Sequence, residues 1–186
     1  MKLVTHYTFS IGLIVLIASI FLYPGVRKSD DFITVIWLGY FVNLFVDRIG
    51  HRLQLTKYGE IPVRTALSHS VTTAPVWGFL VGAVSGVGVY IGSVYVRSFF
   101  SSLNGVSVPV LIGFGVWSGA MGVIVAYSHL FADSLTMAGI FVRGHRWALA
   151  HLRYDNPLLN IGFIGLGVLM FYIGLNSVLP LIPGVI

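Results

Sequence analysis

Five long apolar runs, separated by short polar connections, dominate the pattern of hydrophobic and polar positions along this chain. They cover about residues 3–23, 32–47, 71–96, 108–132 and 158–182. A helix needs about 20 apolar residues to cross the hydrocarbon core of a bilayer, and the second run approaches that length only if it continues through Asp47. The pattern predicts an all-α, polytopic transmembrane helix bundle of about five spans, forming a single domain over residues 1–186. The segment YPGVRKSDD after the first run is typical of a turn and not of a cleavage site, so we expect the first span to be retained.

Composition supports the membrane interpretation and narrows the chemistry. Hydrophobic residues make up 56% of the chain and charged residues only 9%, whereas soluble domains carry about 25% charge. The mean hydropathy is +0.91. The chain has no cysteine, which excludes disulfides, thiolate metal sites and cysteine nucleophiles.

The basic residues provide a topology signal. The net charge of +5 could indicate nucleic acid, but the basic residues lie in short loops between apolar runs, so no nucleic-acid partner is expected. Five spans place eight of the eleven on the side of the N-terminus: Lys2, Arg48, Arg52, Lys57, Arg64, Arg143, Arg146 and Arg153. The other side has Arg27, Lys28 and Arg97. The positive-inside rule therefore predicts a cytoplasmic N-terminus.

Glycine is frequent in the third and fourth runs, where it recurs with G-x-x-x-G spacing. The pairs are Gly82 with Gly86, Gly88 with Gly92, and Gly115 with Gly119. Such spacing lets helix backbones approach closely in lipid. It predicts helix packing within the chain and leaves a homo-oligomer through these glycine-rich faces open.

Histidine and acidic residues are the informative polar groups, because each is costly in or near a membrane. Six of them fall at similar depth on the predicted cytoplasmic side: His6, Asp47, His51, His69, His129 and Asp133. Asp47 and His51 are four residues apart, as are His129 and Asp133, so each pair projects from one helix face if the helix continues through it. Six nitrogen and oxygen donors suit zinc above all, or else manganese, iron or another borderline divalent cation. They could hold one ion, or two ions that share a bridging carboxylate, and two ions would favour hydrolysis of a phosphate ester.

Each donor taken alone also has a structural interpretation. His6 could be a packed histidine, Asp47 part of an end-of-helix ion pair, and His69 part of a helix cap. His129 and Asp133 could simply hydrogen-bond each other. The concentration of all six donors on one side favours the metal site.

Basic residues near the predicted site have two interpretations. Arg52 and Arg64 could hold an anionic group of a substrate, since a guanidinium group binds phosphate oxygens in bidentate fashion. The positive-inside signal explains them equally well. His145 and His151 lie in the segment RGHRWALAHLRYDNP, which is typical of an interfacial segment anchored by arginine and Trp147.

Four short segments resemble the successive motifs of the YdjM-type membrane-bound metal-dependent hydrolases. They are KLVTHYTFS, VDRIGHR, RTALSHS and YSHLFADSLTMAGI. The likeness is greatest to an archaeal family of uncharacterised membrane proteins related to that group. It covers about residues 2–140 and leaves the fifth run uncovered.

The resemblance implies a helical membrane protein with hydrolase activity. It also implies distant kinship with zinc-dependent phospholipases C and single-strand nucleases, whose H-x-x-x-D element is matched by His129 and Asp133. By the same carry-over, His6, Asp47 and His69 are ligands. The D-x-D-H motif of the YdjM-type proteins is replaced here by DRIGH, with one acid fewer, and the histidine that nucleases carry after the last aspartate is absent. One or two ions are therefore expected, and not three.

The leading hypothesis is a membrane-embedded metal-dependent hydrolase whose site opens at the cytoplasmic interface of a cell membrane, archaeal in origin, or of a viral envelope. All six donors are expected metal ligands, Asp47 and Asp133 are the candidate catalytic carboxylates, and a metal-activated water is the expected nucleophile. The expected substrate is a phospholipid or its head group, so membrane lipid is the expected partner. The main alternative is a non-catalytic metal-binding structural protein of a cell or viral membrane. An ion carrier is disfavoured, because the third and fifth runs offer almost no polar group near the bilayer midplane.

Overall fold

The computed structural model describes residues 1–22, 28–56, 59–100 and 107–179. The described part contains six helices and two small antiparallel hairpins. In chain order the elements are α1 (Leu3–Ile20), α2 (Lys28–Gly50), β1 (His51–Thr56), β2 (Gly59–Arg64), α3 (Ala66–His69), α4 (Thr73–Phe100), α5 (Val108–Ser134), β3 (Ile140–Val142), β4 (His145–Trp147) and α6 (Pro157–Val178).

Among the described residues, five helices are long and apolar enough to cross a membrane: α1, α2, α4, α5 and α6. This confirms the predicted all-α bundle, and the chain is an integral membrane protein. The second span is longer than predicted at both ends. Asp30 and Asp31 lie in its first turn, where negative charge stabilises the positive end of a helix dipole, and the helix continues through Asp47 to Gly50.

Some predicted features lie outside the described residues. These are the ends of the first and fifth predicted runs, at residue 23 and residues 180–182, and the basic residues Arg27 and Lys57.

The last span, α6, begins at Pro157 and is capped by Asn156, whose side chain accepts a hydrogen bond from the backbone N–H of Leu159.

Four helices form the core of the bundle, and α6 lies against its outside. α4 packs along α5, α2 contacts α1, α4 and α5, and α6 packs mainly along α1. The central apolar cluster comes from three of these helices, with Ile14 and Val15 on α1, Val35 and Leu38 on α2, and Val125 on α5 all fully buried. The four-helix core therefore brings the termini of α1, α2, α4 and α5 together at each end.

The α4–α5 contact depends on glycine. A Cβ atom at Gly78 would overlap the backbone carbonyl of Gly122, and a Cβ at Gly122 would overlap that of Gly78. Gly82 packs in the same way against the backbone of α5. The prediction of close packing is wrong for Gly88 and Gly92, since no described atom lies within 4 Å of a Cβ built at either position.

The two hairpins lie at the same end of the bundle and were not predicted from the sequence. In β1–β2 the register pairs His51 with Arg64, which returns the chain to the end of α2. In β3–β4 the chain turns through Arg143 and Gly144, both with positive φ, as two-residue hairpin turns require. The backbone N–H of Val71 donates to the carbonyl of Phe141, which ties the two connections together.

Candidate metal centre

Three histidine rings surround the carboxylate of Asp133 at the hairpin end of the bundle. His6 Nε2 lies 3.1 Å from Asp133 Oδ1, while His129 Nε2 and His69 Nε2 lie 3.3 Å and 3.5 Å from Asp133 Oδ2. His69, His129 and Asp133 are completely buried, and His6 is 3% exposed. The structure therefore joins donors from α1, α3 and α5 that are up to 127 residues apart in sequence.

Local structure explains why these side chains point inward. His129 and Asp133 are four residues apart on α5 and share a helix face, and the ring of His6 stacks on that of His129 with the centroids 4.1 Å apart. His69 fits because Gly50 has no side chain: a Cβ there would overlap the His69 ring and the hydroxyl of Ser68. The last residue of α2 is thus a glycine for a steric reason.

Asn43 fixes the tautomer of His129. The side-chain nitrogen of Asn43 donates to the carbonyl of Gly39 at 2.6 Å, so its oxygen faces His129 Nδ1 at 2.8 Å. The proton of His129 therefore resides on Nδ1, and Nε2 presents a lone pair. Asn43 was not among the predicted site residues. It lies four residues before Asp47 within an apolar run, a spacing that places both on one face of α2.

Four buried atoms of the centre have no hydrogen-bond partner within the described part of the chain: His6 Nδ1, His69 Nε2, His129 Nε2 and Asp133 Oδ2. The last three face one another. Burial lowers the pKa of His69 to about 2, so its ring is neutral and able to act as a ligand at physiological pH. Buried polar atoms without partners are costly. Two imidazole nitrogens and a carboxylate oxygen that face one another fit a divalent metal ion.

The other oxygen of Asp133 is held by the guanidinium group of Arg64. Arg64 Nη2 donates to Asp133 Oδ1 at 2.5 Å. Arg64 Nη1 also donates to Thr136 Oγ1 and to the carbonyl of Gly139. Arg64, predicted to bind substrate, is therefore engaged with the candidate ligand, and this orients Oδ2 of Asp133 toward His69 and His129.

Asp47 and His51 lie at the exposed edge of the site. Within the described residues, two sets of donors have ligand atoms within 4.8 Å of one another: His6, His129 and Asp133, and also Asp47, His69 and His129. His51 belongs to neither set. Its Nδ1 contacts the backbone carbonyl of Asp47 at 2.7 Å, and its ring centroid is 5.3 Å from that of His69. Five of the six predicted ligands thus come together, and His51 stands beside them.

A cavity of about 450 Å³ adjoins the site and is lined by three arginines: Arg52, Arg64 and Arg146. The first two were predicted to bind substrate. Arg146 was assigned to the topology signal and to an interfacial segment. The β3–β4 hairpin, which was not predicted, carries it to this cavity. His145, on the same strand, is exposed and lies outside both donor sets.

Comparison with curated proteins and with solved structures gives no match. A family model matches residues 1–132, more than two thirds of the chain, and is described as a protein of unknown function, DUF1286. The matched part contains α1 to α4 and most of α5, including His6, Asp47, His69 and His129. It ends one residue before Asp133 and leaves out α6. The chain therefore belongs to the DUF1286 family.

Proposed function

We propose that this protein is a membrane-embedded, metal-dependent hydrolase that cleaves a phosphate ester at the cytoplasmic face of the membrane. One observation carries the proposal: His69 Nε2, His129 Nε2 and Asp133 Oδ2 are buried without partners and face one another. Nitrogen and oxygen donors without sulfur suit zinc, with manganese as the alternative. The excess of basic residues at this end supports the cytoplasmic orientation.

The donor geometry favours one ion over two. Both donor sets include His129, and the Nδ1 atom of that ring is engaged by Asn43, so His129 has a single lone pair to offer. The two sets therefore describe one position. His6, His69, His129 and Asp133 are the proposed buried ligands, and Asp47 completes the site from its exposed side.

Asp47 is the proposed general base. Its side chain is 32% exposed, whereas the other carboxylate of the site is completely buried. In the proposed reaction the Asp47 carboxylate accepts a proton from the attacking water, whose oxygen forms a bond to phosphorus while the P–O bond of the ester breaks. The proton on Asp47 then passes to the departing alkoxide, which leaves as the alcohol. His51 positions Asp47, since its Nδ1 contacts the Asp47 carbonyl and lies 3.5 Å from Oδ1. A bound divalent ion supplies Lewis-acid activation of the water and of the phosphoryl oxygen.

The arginine-lined cavity supports a phosphate ester as the substrate. Guanidinium groups bind phosphate oxygens in bidentate fashion, and Arg52 and Arg146 are both exposed there. Arg64 contributes charge while it holds Asp133. The resemblance to the YdjM-type hydrolases, whose distant relatives cleave phosphodiesters, is in line with this substrate class.

Metal analysis and a hydrolysis assay test the proposal together. The purified protein in detergent should contain about one divalent metal ion per chain. His129→Gln and Asp133→Asn should lose the metal and the release of p-nitrophenol from p-nitrophenyl phosphate. His145→Gln, an exposed histidine on β4, is the matched control and should keep both. Circular dichroism establishes that each variant is folded, and a folded wild-type protein without bound metal would overturn the proposal.

Complete burial of three donors favours a second candidate, a metal-binding structural protein of the membrane. Closed sites surrounded by protein are typical of structural zinc, whereas catalytic sites keep a position open. His69, His129 and Asp133 are fully buried, and only Asp47 opens the site to the outside. One metal ion per chain, with no hydrolysis of any phosphate ester tested, would favour this candidate.

A further inference from the structure

A second, larger cavity lies between α2 and α4 and is almost purely apolar. It is a groove of about 610 Å³ whose walls include Trp37, Phe41 and Phe45 on α2 and Trp77, Leu80 and Val84 on α4. Both helices are candidate membrane spans, so the groove opens within the depth of the bilayer. It is separate from the arginine-lined cavity and shares no residue with it.

The groove has the length of one lipid leaflet. On α4 its lining extends from Trp77 to Val89, which at 1.5 Å per residue is about 18 Å. Half of a typical hydrocarbon core is about 15 Å thick. Gly88 belongs to the lining, and no described atom lies within 4 Å of a Cβ built there, so the space beside it is open.

One end of the groove meets the candidate metal centre. At this end the ring centroids of Phe45 and Trp77 lie 5.8 Å apart. Phe45 is two residues before Asp47, and Trp77 lies in the first turns of α4. The indole N–H of Trp77 donates to the carbonyl of Leu67 at 3.0 Å. Leu67 belongs to α3, the short helix that ends at His69. Trp77 therefore contacts both the groove and the segment that carries a proposed ligand.

Positive charge is found at this end of the groove. Arg48 lies three residues beyond Phe45 on the same side of α2 and is exposed. Arg52 follows on β1 and lines the arginine cavity. Arg146 faces the same cavity from the second hairpin. An apolar groove with cations at one end complements an amphiphile whose negative charge is at one end.

We propose that the α2–α4 groove binds a hydrocarbon chain of a lipid that has a phosphate head group, with the head group in the arginine-lined cavity. The proposal rests on the proposed function and specifies its substrate class. Membrane lipid is the apolar material that surrounds both helices, and the arginines select the anionic members of that population. The groove thereby sets the position of the phosphate ester beside Asp47.

Photolabelling tests whether the groove holds the chain. The probe is a long-chain phosphatidic acid with a diazirine at the end of one chain, added to the purified protein in detergent micelles. Mass spectrometry should find the label on groove residues of α2 and α4. Gly88→Leu extends a side chain from a Cβ position with open space around it into the groove, and it should reduce that label about tenfold. Gly165→Leu is the matched control, a glycine of α6 that also has open space around its Cβ position, and it should leave the label unchanged.

Three results would overturn the groove as a site for a lipid with a phosphate head group. Equal labelling of α6 and the groove would indicate ordinary surrounding lipid. Equal labelling by a neutral diacylglycerol probe would show that the arginines do not select lipids with a phosphate head group. Crosslinks between two copies of the chain at Trp37 or Val84 would assign the groove to a homodimer instead.

Kinetics separate failure of the groove from failure of the hydrolase. The wild type should have a KM for phosphatidic acid that falls as the chain lengthens, and Gly88→Leu should raise the KM for the long-chain substrate about tenfold. A chain-length-independent KM, with p-nitrophenyl phosphate still cleaved, would overturn the groove alone. Absence of bound metal and of any p-nitrophenyl phosphate turnover would contradict the proposed function, while the photolabelling result would still decide the groove.

Discussion

Asn43 is the residue on which the orientation of His129 depends. Its amide joins the backbone of α2 to the Nδ1 atom of His129, so the ring is held with Nε2 toward Asp133. Partners of this kind raise the basicity of a histidine ligand and restrict its rotation. Because the contact lies inside the bundle and away from water, no solvent molecule replaces it when the amide is removed.

Asn43→Leu should weaken metal binding without removing any ligand. The substitution keeps the size of the side chain and deletes the acceptor for His129 Nδ1. We expect a loss of about 10–100-fold in metal affinity, measured by competition with a chelating dye. Asn176→Leu, on the exposed surface of α6, is the control and should bind metal like the wild type. Unchanged affinity in Asn43→Leu would contradict the assigned tautomer.

Arg146 is predicted to bind substrate and not metal. Arg146→Gln removes one of the three guanidinium groups of the cavity, so KM for an anionic phosphate ester should rise about tenfold or more while bound metal stays constant. Arg143→Gln removes the same charge from the same hairpin, outside the cavity lining, and should leave KM unchanged. Equal effects of the two substitutions would point to long-range electrostatics instead.

The low pKa of His69 predicts an acid-sensitive metal-free protein. Burial lowers the pKa of this ring to about 2, whereas an unfolded histidine titrates near 6.5. The unfolded chain therefore binds a proton below about pH 6.5 that the folded chain does not. The stability that neutral His69 provides is present above that pH and falls as the pH decreases, by up to about 1.4 kcal/mol per pH unit.

Unfolding of the metal-free protein in mixed detergent micelles measures this effect. The free energy of unfolding of the wild type should decrease between pH 7 and pH 5, and His69→Gln should show a shallower decrease. His145→Gln should follow the wild type, because that side chain is exposed. Identical pH dependence of the wild type and His69→Gln would refute the prediction.

At the scale of elements, the α4–α5 seam is the contact most sensitive to side-chain size. Gly78 and Gly122 face each other at a distance that leaves no room for a methyl group. Lipid tails are as apolar as the helices, so packing and not hydrophobic burial holds these helices together. The seam also matters for the site, because α5 carries His129 and Asp133 while α4 follows directly after the segment with His69.

Gly122→Ala should therefore destabilise the protein by about 1–3 kcal/mol, the usual cost of overpacking a close contact. Gly165→Ala adds the same methyl group where nothing described lies within 4 Å and should cost much less. The thermal unfolding temperature of the two variants, measured at constant detergent concentration, compares them directly. If Gly122→Ala proves as stable as Gly165→Ala, α4 and α5 can move apart without a loss of stability, which would contradict the prediction.

At the scale of the whole molecule, the polar groups are divided unequally between the two ends. The metal donors, both hairpins and most of the basic residues share one end, and α6 lies on the outside of the four-helix core. The positive-inside rule then predicts that the site faces the cytoplasm. The chain has no cysteine, which makes its orientation straightforward to measure.

Cysteine accessibility tests the predicted orientation. His145→Cys places a thiol at the site end and Ser107→Cys places one at the opposite end, and both native side chains are exposed. A membrane-impermeant maleimide applied to intact cells should label Ser107→Cys at once and His145→Cys only after the membrane is permeabilised. The reverse pattern would place the site outside the cell.

Local sequence determined the spans of this protein and the end at which its polar groups gather. Apolar runs have to match the thickness of a bilayer, so length and hydropathy alone identify helices such as α4 and α5. Their alternating directions then put His6, Asp47 and His129 at one end. The i, i+4 spacing also placed His129 and Asp133 on one face, because helix geometry is local.

Only the tertiary structure decided which of those groups meet. His51 has the same spacing from Asp47 as Asp133 has from His129, yet α2 ends at Gly50 and the ring of His51 leaves the centre. The contacts of Asn43 with His129, of Arg64 with Asp133 and of Phe45 with Trp77 join residues from different elements. Such contacts depend on how helices pack and where hairpins return the chain, and hydropathy along one segment carries no information about either.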